Sequence, residues 1–240
     1  GLRFQNEPDG SYINDSEEYS APPFSTLREL EYASIMIEEK GSINDIREKD
    51  WINLLIAPGS SIGGARPKAG VADEKGDLWI AKFPSRNDEI DKGAWEMVVN
   101  QLSVLSGINT APAILKKFSG KHHTFLTKRF DRADNKKRIH FASAMTMLGY
   151  SDHSKNPGYL DFIDFIMRHC VKPKNDLNEL WKRIVFNISV KNCDDHLRNH
   201  GFLLYPEGWV LSPAYDVNPD VYGNQLSLNI NENDNSLDYD

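Results

Sequence analysis

The sequence predicts an α+β chain in two lobes, with strands gathered before residue 130 and helices after it. Three observations carry this. Short apolar runs with hairpin turns between them occupy residues 69–83 and 111–130. Helical spacing takes over after residue 140 and is clearest from Asp176 to Lys191. Between them, Asp131-Arg-Ala-Asp-Asn135 breaks the pattern and marks a boundary, giving segments 1–130 and 131–240.

The composition is that of a globular protein. The chain has 240 residues, 40% hydrophobic and 26% charged. With 28 Lys and Arg against 35 Asp and Glu the formal charge is −7, so nothing points to non-specific nucleic-acid binding, although one local basic patch remains compatible with it. Two cysteines, Cys170 and Cys193, make no disulfide framework and no zinc pattern. That suits a reducing cytoplasm. No signal peptide and no apolar run of about 18 residues is visible, so no membrane span is expected. The chain opens on Gly1-Leu-Arg-Phe4 without a Met, which reads as a fragment or a processed chain.

Taken in order, residues 1–25 read as loop with one short strand at Leu2–Phe4 and turn signals at Asp9-Gly10 and Pro22-Pro23. Thr26 to Lys40 reads as a helix capped by Ser25 or Thr26, with Leu27, Leu30, Ile35 and Ile37 at partial helical spacing and Gly41 as its stop. Asp45 to Leu55 is a second short helix. Pro58-Gly-Ser-Ser-Ile-Gly-Gly-Ala-Arg-Pro-Lys68 follows, with three glycines, two serines and the cations Arg66 and Lys68. Its exposed N–H groups could wrap phosphate oxygens, although the G-K-[ST] end of a Walker A loop is absent. A plain surface turn would read the same way.

A β-hairpin is expected over Ala69–Ala72 and Leu78–Phe83, with Lys82 inside its second strand. A strand lysine is commonly a solvated outward residue. Placed one hairpin after a glycine loop, it also stands where a kinase keeps its phosphate-pairing lysine. Asp91 to Leu105 is a helix with Trp95, Val98, Val99, Leu102 and Leu105 as its apolar face, ended by Gly107. Glu96 is either solvated or the partner of Lys82. Ala111–Leu115 and Thr124–Phe130 are two further strands, and Phe130 is either core or a lid on a base.

In the second half, His140–Leu148 and Leu160–Arg168 are helix candidates. Asp176 is a plausible N-cap for Asp176–Lys191, whose stripe is Leu177, Leu180, Trp181, Ile184 and Ile188. Gly201–Tyr205 and Trp209–Leu211 form a hairpin around Pro206-Glu-Gly208, and one short strand is expected at Gln225–Ile230.

The polar stretch Asn192-Cys-Asp-Asp-His-Leu-Arg-Asn199 is the chemical centre of the sequence. Asp194 and Asn199 have the D-x-x-x-x-N spacing of a kinase catalytic loop, in which the Asp takes the substrate hydroxyl proton and the Asn holds magnesium. A second metal-binding Asp should follow the next hairpin, and Asp216 stands there in Leu211-Ser-Pro-Ala-Tyr-Asp216. Mg²⁺ prefers oxygen ligands and keeps waters, so one carboxylate and one carboxamide suffice. His196 would orient the loop or touch phosphate. Asp195, adjacent on an extended loop, is expected to be solvated. Two other readings compete: a transition-metal site at Asp194, Asp195 and His196, or a structural loop that satisfies helix ends.

These residues resemble the HipA family of serine/threonine kinases, the toxin halves of bacterial toxin–antitoxin pairs linked to bacterial persistence. The matching motifs are Gly1–Phe4, Pro58–Lys68, Trp79-Ile-Ala-Lys-Phe-Pro-Ser85, Arg129-Phe-Asp-Arg132, Asn192–Asn199 and Leu211–Val217. The resemblance implies a two-lobed protein-kinase-like fold, with a β-rich lobe 1–130 that carries the nucleotide loop and an α-helical lobe 131–240 that carries the catalytic loop and metal Asp. It implies ATP and Mg²⁺ as cofactors, Asp194 as catalytic base, and Asn199 and Asp216 as metal ligands. The nucleotide contacts it implies are Gly63, Gly64, Ala65, Arg66, Pro67 and Lys68 in the loop, Lys82, the hinge Lys128, Arg129 and Phe130, then His196, Leu197, Arg198, Asn199, Tyr215 and Asp216. Ser61 falls on the serine that family members phosphorylate on themselves. The implied partners are a protein substrate, in studied members an aminoacyl-tRNA synthetase, and a HipB-like antitoxin through which alone DNA is reached. Family members usually carry a small domain before Gly1-Leu-Arg-Phe4 and more helices after the metal Asp, so the chain is expected to be a truncated form. Lys128 replaces the acidic residue often found at the hinge. A non-catalytic kinase-fold fragment that binds nucleotide or a partner is the rival reading.

Overall fold

The structure is a computed structural model that describes residues 6–7, 21–40, 66–118, 120–134, 137–151 and 156–239. The expected strand at Leu2–Phe4, the helix at Asp45–Leu55, and the loop residues Ser61, Gly63, Gly64 and Ala65 lie outside them. The chain divides into two compact units, one from Gly1–Ala94 with Ala113–Arg129, the other from Trp95–Pro112 with Phe130–Asp240.

The first unit is built on a four-stranded antiparallel sheet in the order β1-β2-β4-β3, from β1 (Lys68–Ala72), β2 (Leu78–Lys82), β3 (Ala113–Lys116) and β4 (Thr124–Lys128). The β1–β2 turn is held by Asp73, whose carboxylate accepts from the amides of Lys75 and Asp77, 2.9 Å each, and from the Trp79 indole at 3.0 Å. One face carries the core: Ala69, Val71, Trp79, Ala81, Phe83 and Leu126 meet Leu27 and Leu30 of α1 (Leu27–Lys40). The buried side of α1 runs through Leu27, Leu30, Glu31 and Ser34, and leaves Ile37 exposed, against the expectation that Ile37 belonged to it. Ser25 and Thr26 lie inside a 3₁₀ turn (Phe24–Thr26), and the Thr26 hydroxyl donates to the Pro23 carbonyl at 2.8 Å.

The second unit packs a three-stranded sheet, β5 (His140–Ser143), β6 (Gly201–Tyr205) and β7 (Gly208–Leu211), with helices α3 (Ala144–Met147), α4 (Tyr159–His169) and α5 (Pro173–Val190). The expected helix at His140–Leu148 is therefore a strand followed by one helical turn. Pairing with β6 decides this, because Phe141 and Ala142 sit opposite Leu203 and Phe202. At Gly201 a β-carbon would come within 2.3 Å of the Phe141 ring, so only glycine lets the two strands close there. α4 is amphipathic, burying Tyr159, Phe162, Phe165 and Ile166 on one side. α5 begins at Pro173, which suits the first helical position, so Asp176 is a buried first-turn residue and not the cap. Of its expected stripe, Leu180 and Ile188 are buried, whereas Trp181 is exposed.

Helix α2 (Lys92–Leu105) departs most from its expected face. Glu96, Val99 and Ser103 are buried, while Trp95, Val98, Leu102 and Leu105 are exposed. Gly107, with φ of +70°, ends the segment as expected. A small cluster then joins Val99 and Ile108 to Phe186 and Ala214. The 225–230 stretch forms isolated bridges, Gln225 with Ser236 and Asn229 with Gly158, not a strand. Leu226 and Leu228 from it are fully buried.

Candidate active site

The catalytic-loop candidate hangs from the C-terminus of α5. Lys191 takes the left-handed conformation (φ 54°, ψ 49°), and its amide donates to the carbonyls of Asn187 and Ile188. The Asn192 amide donates to the Asn187 carbonyl at 2.8 Å, and its side chain donates to Asn187 Oδ1 at 3.1 Å. This double tie lets the chain leave the helix without orphaned end groups.

Within the loop, the Asn199 amide donates to the His196 carbonyl at 2.8 Å and Asn199 Nδ2 donates to the Asp194 carbonyl at 3.1 Å. The carboxamide nitrogen is thus committed to the protein, which leaves Oδ1 as the oxygen for a cation. Asp194 is exposed. Asp216 sits at φ 57°, and its Oδ1 accepts from Asn218 Nδ2 at 3.0 Å. The Tyr215 hydroxyl donates to the Arg198 carbonyl at 2.7 Å, tying the Asp216 segment to the loop. Burial, then the nearby Asp216, holds the Tyr215 phenol well above its ordinary range, so it remains a donor. The half-buried Phe130 ring lies 5.4 Å from Tyr215 and 5.7 Å from Phe141, one aromatic cluster.

The oxygen donors fit a hard divalent ion that takes part of its shell from phosphate and water. Among the described residues no group of three or more His, Cys, Asp or Glu is placed to cage a metal. The transition-metal reading of Asp194, Asp195 and His196 fails on that count.

Asp195 reverses its expectation. It is 2% exposed. Its carboxylate accepts from the Tyr159 hydroxyl at 2.5 Å and meets His200 Nε2 at 2.8 and 2.9 Å. Asn187 Nδ2 donates to the Tyr159 oxygen at 3.3 Å. Beneath lies Arg183, 3% exposed, whose Nε and Nη2 grip Glu179 and whose Nη2 also donates to the Ser212 carbonyl at 2.6 Å. A small cavity of mixed lining adjoins them, with Ser103, Asn187 and Asn199 beside Ile108, Phe186 and Val217. The sequence reading missed His200 and Arg183 entirely. The one available signal was Glu179 four residues before Arg183 on a helix.

In the first unit, Lys82 is buried and its Nζ lies 5.8 Å from the Phe125 ring centre. Glu96 is buried too, so neither is the solvated residue its simpler reading supposed. Arg66 is engaged by the protein: Nε donates to the Phe83 carbonyl at 2.8 Å and Nη2 pairs with Asp88 at 3.1 Å. The Pro67 carbonyl accepts from the Phe83 amide at 2.9 Å, and Lys68 opens β1. At the expected hinge, Lys128 pairs with Asp77 at 2.6 Å and the Arg129 amide donates to the Leu78 carbonyl. In the loop, His196 is half-buried, Leu197 is core, and Arg198 is exposed.

The HipA-like C-terminal domain family matches residues 60–239. The chain belongs to that family. A Sinorhizobium fredii (strain NBRC 101917 / NGR234) protein named “Putative kinase Y4mE” is 27% identical over 147 residues, 58% of this chain and 33% of that protein. HipA of Shewanella oneidensis MR-1, solved with HipB and operator DNA, superposes with a TM-score of 0.62 at 19% identity, over 74% of this chain and 48% of that one. The Helicobacter pylori proinflammatory kinase CtkA gives 0.51 at 18% identity, over 62% and 54%. These likenesses show a kinase-like fold. The chain spans about half the length of those two structures and a third of the Sinorhizobium protein.

The family match covers both candidate regions, Arg66–Lys82 and Asn192–Asp216. No helix among the described residues is long and apolar enough to cross a membrane.

Proposed function

We propose that this HipA-family chain is an ATP- and Mg²⁺-dependent protein kinase that phosphorylates serine or threonine. What supports the reading most is the bond from Asn199 Nδ2 to the Asp194 carbonyl, which makes the D-x-x-x-x-N spacing one closed turn with an exposed Asp at its start. Asp194 orients the acceptor hydroxyl and takes its proton as the O–Pγ bond forms and the bond to the β-phosphate oxygen breaks, leaving ADP. Asn199 and Asp216 would hold Mg²⁺, which supplies neutralising charge to the phosphates. Lys82 and Lys68, with the loop residues Gly63 to Pro67, attract the phosphate charge. The hinge segment Lys128–Phe130 offers main-chain groups to the base, and His196 to Arg198 with Tyr215 complete the nucleotide contacts.

By likeness to HipA solved with HipB and operator DNA, an antitoxin of HipB type is the proposed partner, and DNA is reached through it. The substrate is a cellular protein, an aminoacyl-tRNA synthetase by family resemblance, and the setting is cytoplasmic. Ser61 is the proposed self-phosphorylation site. A dianionic phosphate there could not share the loop with ATP phosphates, so the modification would switch the enzyme off.

Intact mass measured after incubation with ATP and Mg²⁺ tests the proposal, beside an Asp194→Ala control. One added phosphate, on Ser61 and only in the unaltered chain, is the expected result. Nucleotide binding with no transfer, in protein first shown to carry no phosphate, would replace the kinase with a nucleotide-binding fragment.

A further inference from the structure

The loop carrying Asp194 presents two adjacent carboxylates with opposite fates. Asp194 lies in a turn, and Asp195 follows it directly. Here Asp194 is exposed while Asp195 is buried at 2% exposure. The buried one enters a pocket of groups from two helices and the loop's own end: Tyr159 from the first turn of α4, Asn187 near the end of α5, and His200, the last residue before β6. The His200 ring is itself fixed, 5.1 Å from Phe162 and 6.1 Å from Tyr159, edge-on to both. An ionised carboxylate is stable in such a place only if its oxygens are hydrogen-bonded. Tyr159 and His200 meet that need, so Asp195 has one place to sit.

The geometry points to Asp195 as the anchor of the catalytic loop, a positioning residue that Tyr159 and His200 hold inward so that Asp194 is turned outward. The inference rests on the kinase reading for its consequence in turnover, and on the geometry alone for its consequence in loop order. It assigns the two carboxylates different work: Asp194 meets the substrate hydroxyl, and Asp195 never leaves the protein interior. It also explains why the loop ends on His200. The last residue before β6 closes the anchor while Asn199, one position earlier, bonds back to the Asp194 carbonyl.

The test uses the full chain and three conservative variants, Asp195→Asn, His200→Gln and Tyr159→Phe. Hydrogen exchange read by mass spectrometry follows the peptide 192–200 against α5 and β6. Turnover and the affinity for a fluorescent ATP analogue are read in parallel. We expect Asp195→Asn and His200→Gln to speed exchange in 192–200 about tenfold while α5 and β6 keep their protection. Turnover should fall roughly 10²-fold, the scale of a displaced catalytic group, with nucleotide affinity unchanged within about twofold. Tyr159→Phe keeps the ring and loses one donor, so its effect should be smaller in both readouts.

Unchanged loop exchange in both Asp195→Asn and His200→Gln would overturn the anchor. So would exchange that rises equally in α5 and β6, which is plain destabilisation. If the unaltered chain transfers no phosphate, the kinase reading falls, and the exchange pattern alone decides whether the anchor stands.

Discussion

Lys68 and Lys82 stand directly opposite each other in the β1–β2 register. Residues in that relation project from the same face of the sheet, and like charges so placed repel. Lys82 is also buried. The register thus sets two cations side by side on one face, where the proposed function places the ATP phosphates.

Lys82→Met is therefore expected to lower phosphoryl transfer by about 10²-fold or more, the scale seen when one preorganised donor to a developing charge is removed. Lys68→Met should cost less, because Lys68 is only partly buried. Rates at fixed ATP, with affinity from analogue titration, check the order. Equal activity in all three proteins would sink the phosphate role.

Arg183 serves stability more than chemistry. It is buried, paired with Glu179 at 2.9 Å and bonded to the Ser212 carbonyl. Burial, opposed by Glu179, lowers its pKa. Removing one partner of a buried pair costs about 3–5 kcal/mol, so Arg183→Met should lose on that order in urea unfolding. Arg183→Lys should not restore it, since Nε and Nη2 both grip Glu179 and an ammonium cannot reproduce that fork.

Glu31 gives the first unit a pH dependence. Its carboxyl, on the buried side of α1, accepts from the Thr124 hydroxyl. Burial raises its pKa above the ordinary 4.5, with the Thr124 bond and His123 opposing. A raised pKa means the folded state holds the proton more tightly, so this contribution is full below about pH 4.5 and is lost as pH rises through the folded value. Glu31→Gln should match the natural chain near pH 4 and become relatively more stable toward neutral pH. Urea midpoints across that range decide it, and a difference that moves the other way rules it out.

Cys170 should be inert. Burial, then Asp176, pushes its thiol up to about 12. The Cys193 thiol is raised by burial and by Asp220. A disulfide reagent at pH 8 should label both slowly in folded protein and quickly in urea, because only the thiolate attacks. Fast labelling of Cys170 in the native state would contradict its placement.

Much of the architecture was readable where local pattern and turn chemistry agree. The 69–83 hairpin, the α4 segment and the β6–β7 hairpin fall within a residue or two of their expected bounds. The failures share one cause, dependence on distant neighbours. His140–Leu148 has helical spacing, yet β6 recruits its first half as a strand. Trp95 and Trp181 sit at apolar positions of periodic helices and still face solvent, because periodicity locates a stripe without saying what covers it. The spacing of Asp194 and Asn199 was legible, and a hydrogen bond joins the two residues. The site's second layer was not, since Tyr159 of α4 reaches Asp195 only through packing and no spacing rule announces the His200 bond.

The discontinuous division of the chain has a practical consequence for anyone who dissects it. A gene cut at residue 130 would look natural on the sequence, yet it would strand Val99 and Ile108 on one product and Phe186 and Ala214 on the other. It would also sever the bridge in which the Ala214 amide donates to the Asn109 carbonyl at 2.7 Å. Each half, expressed alone, should therefore be sticky and poorly soluble, whereas the two halves made together should find one another and reassemble, the behaviour that split-protein reporters exploit.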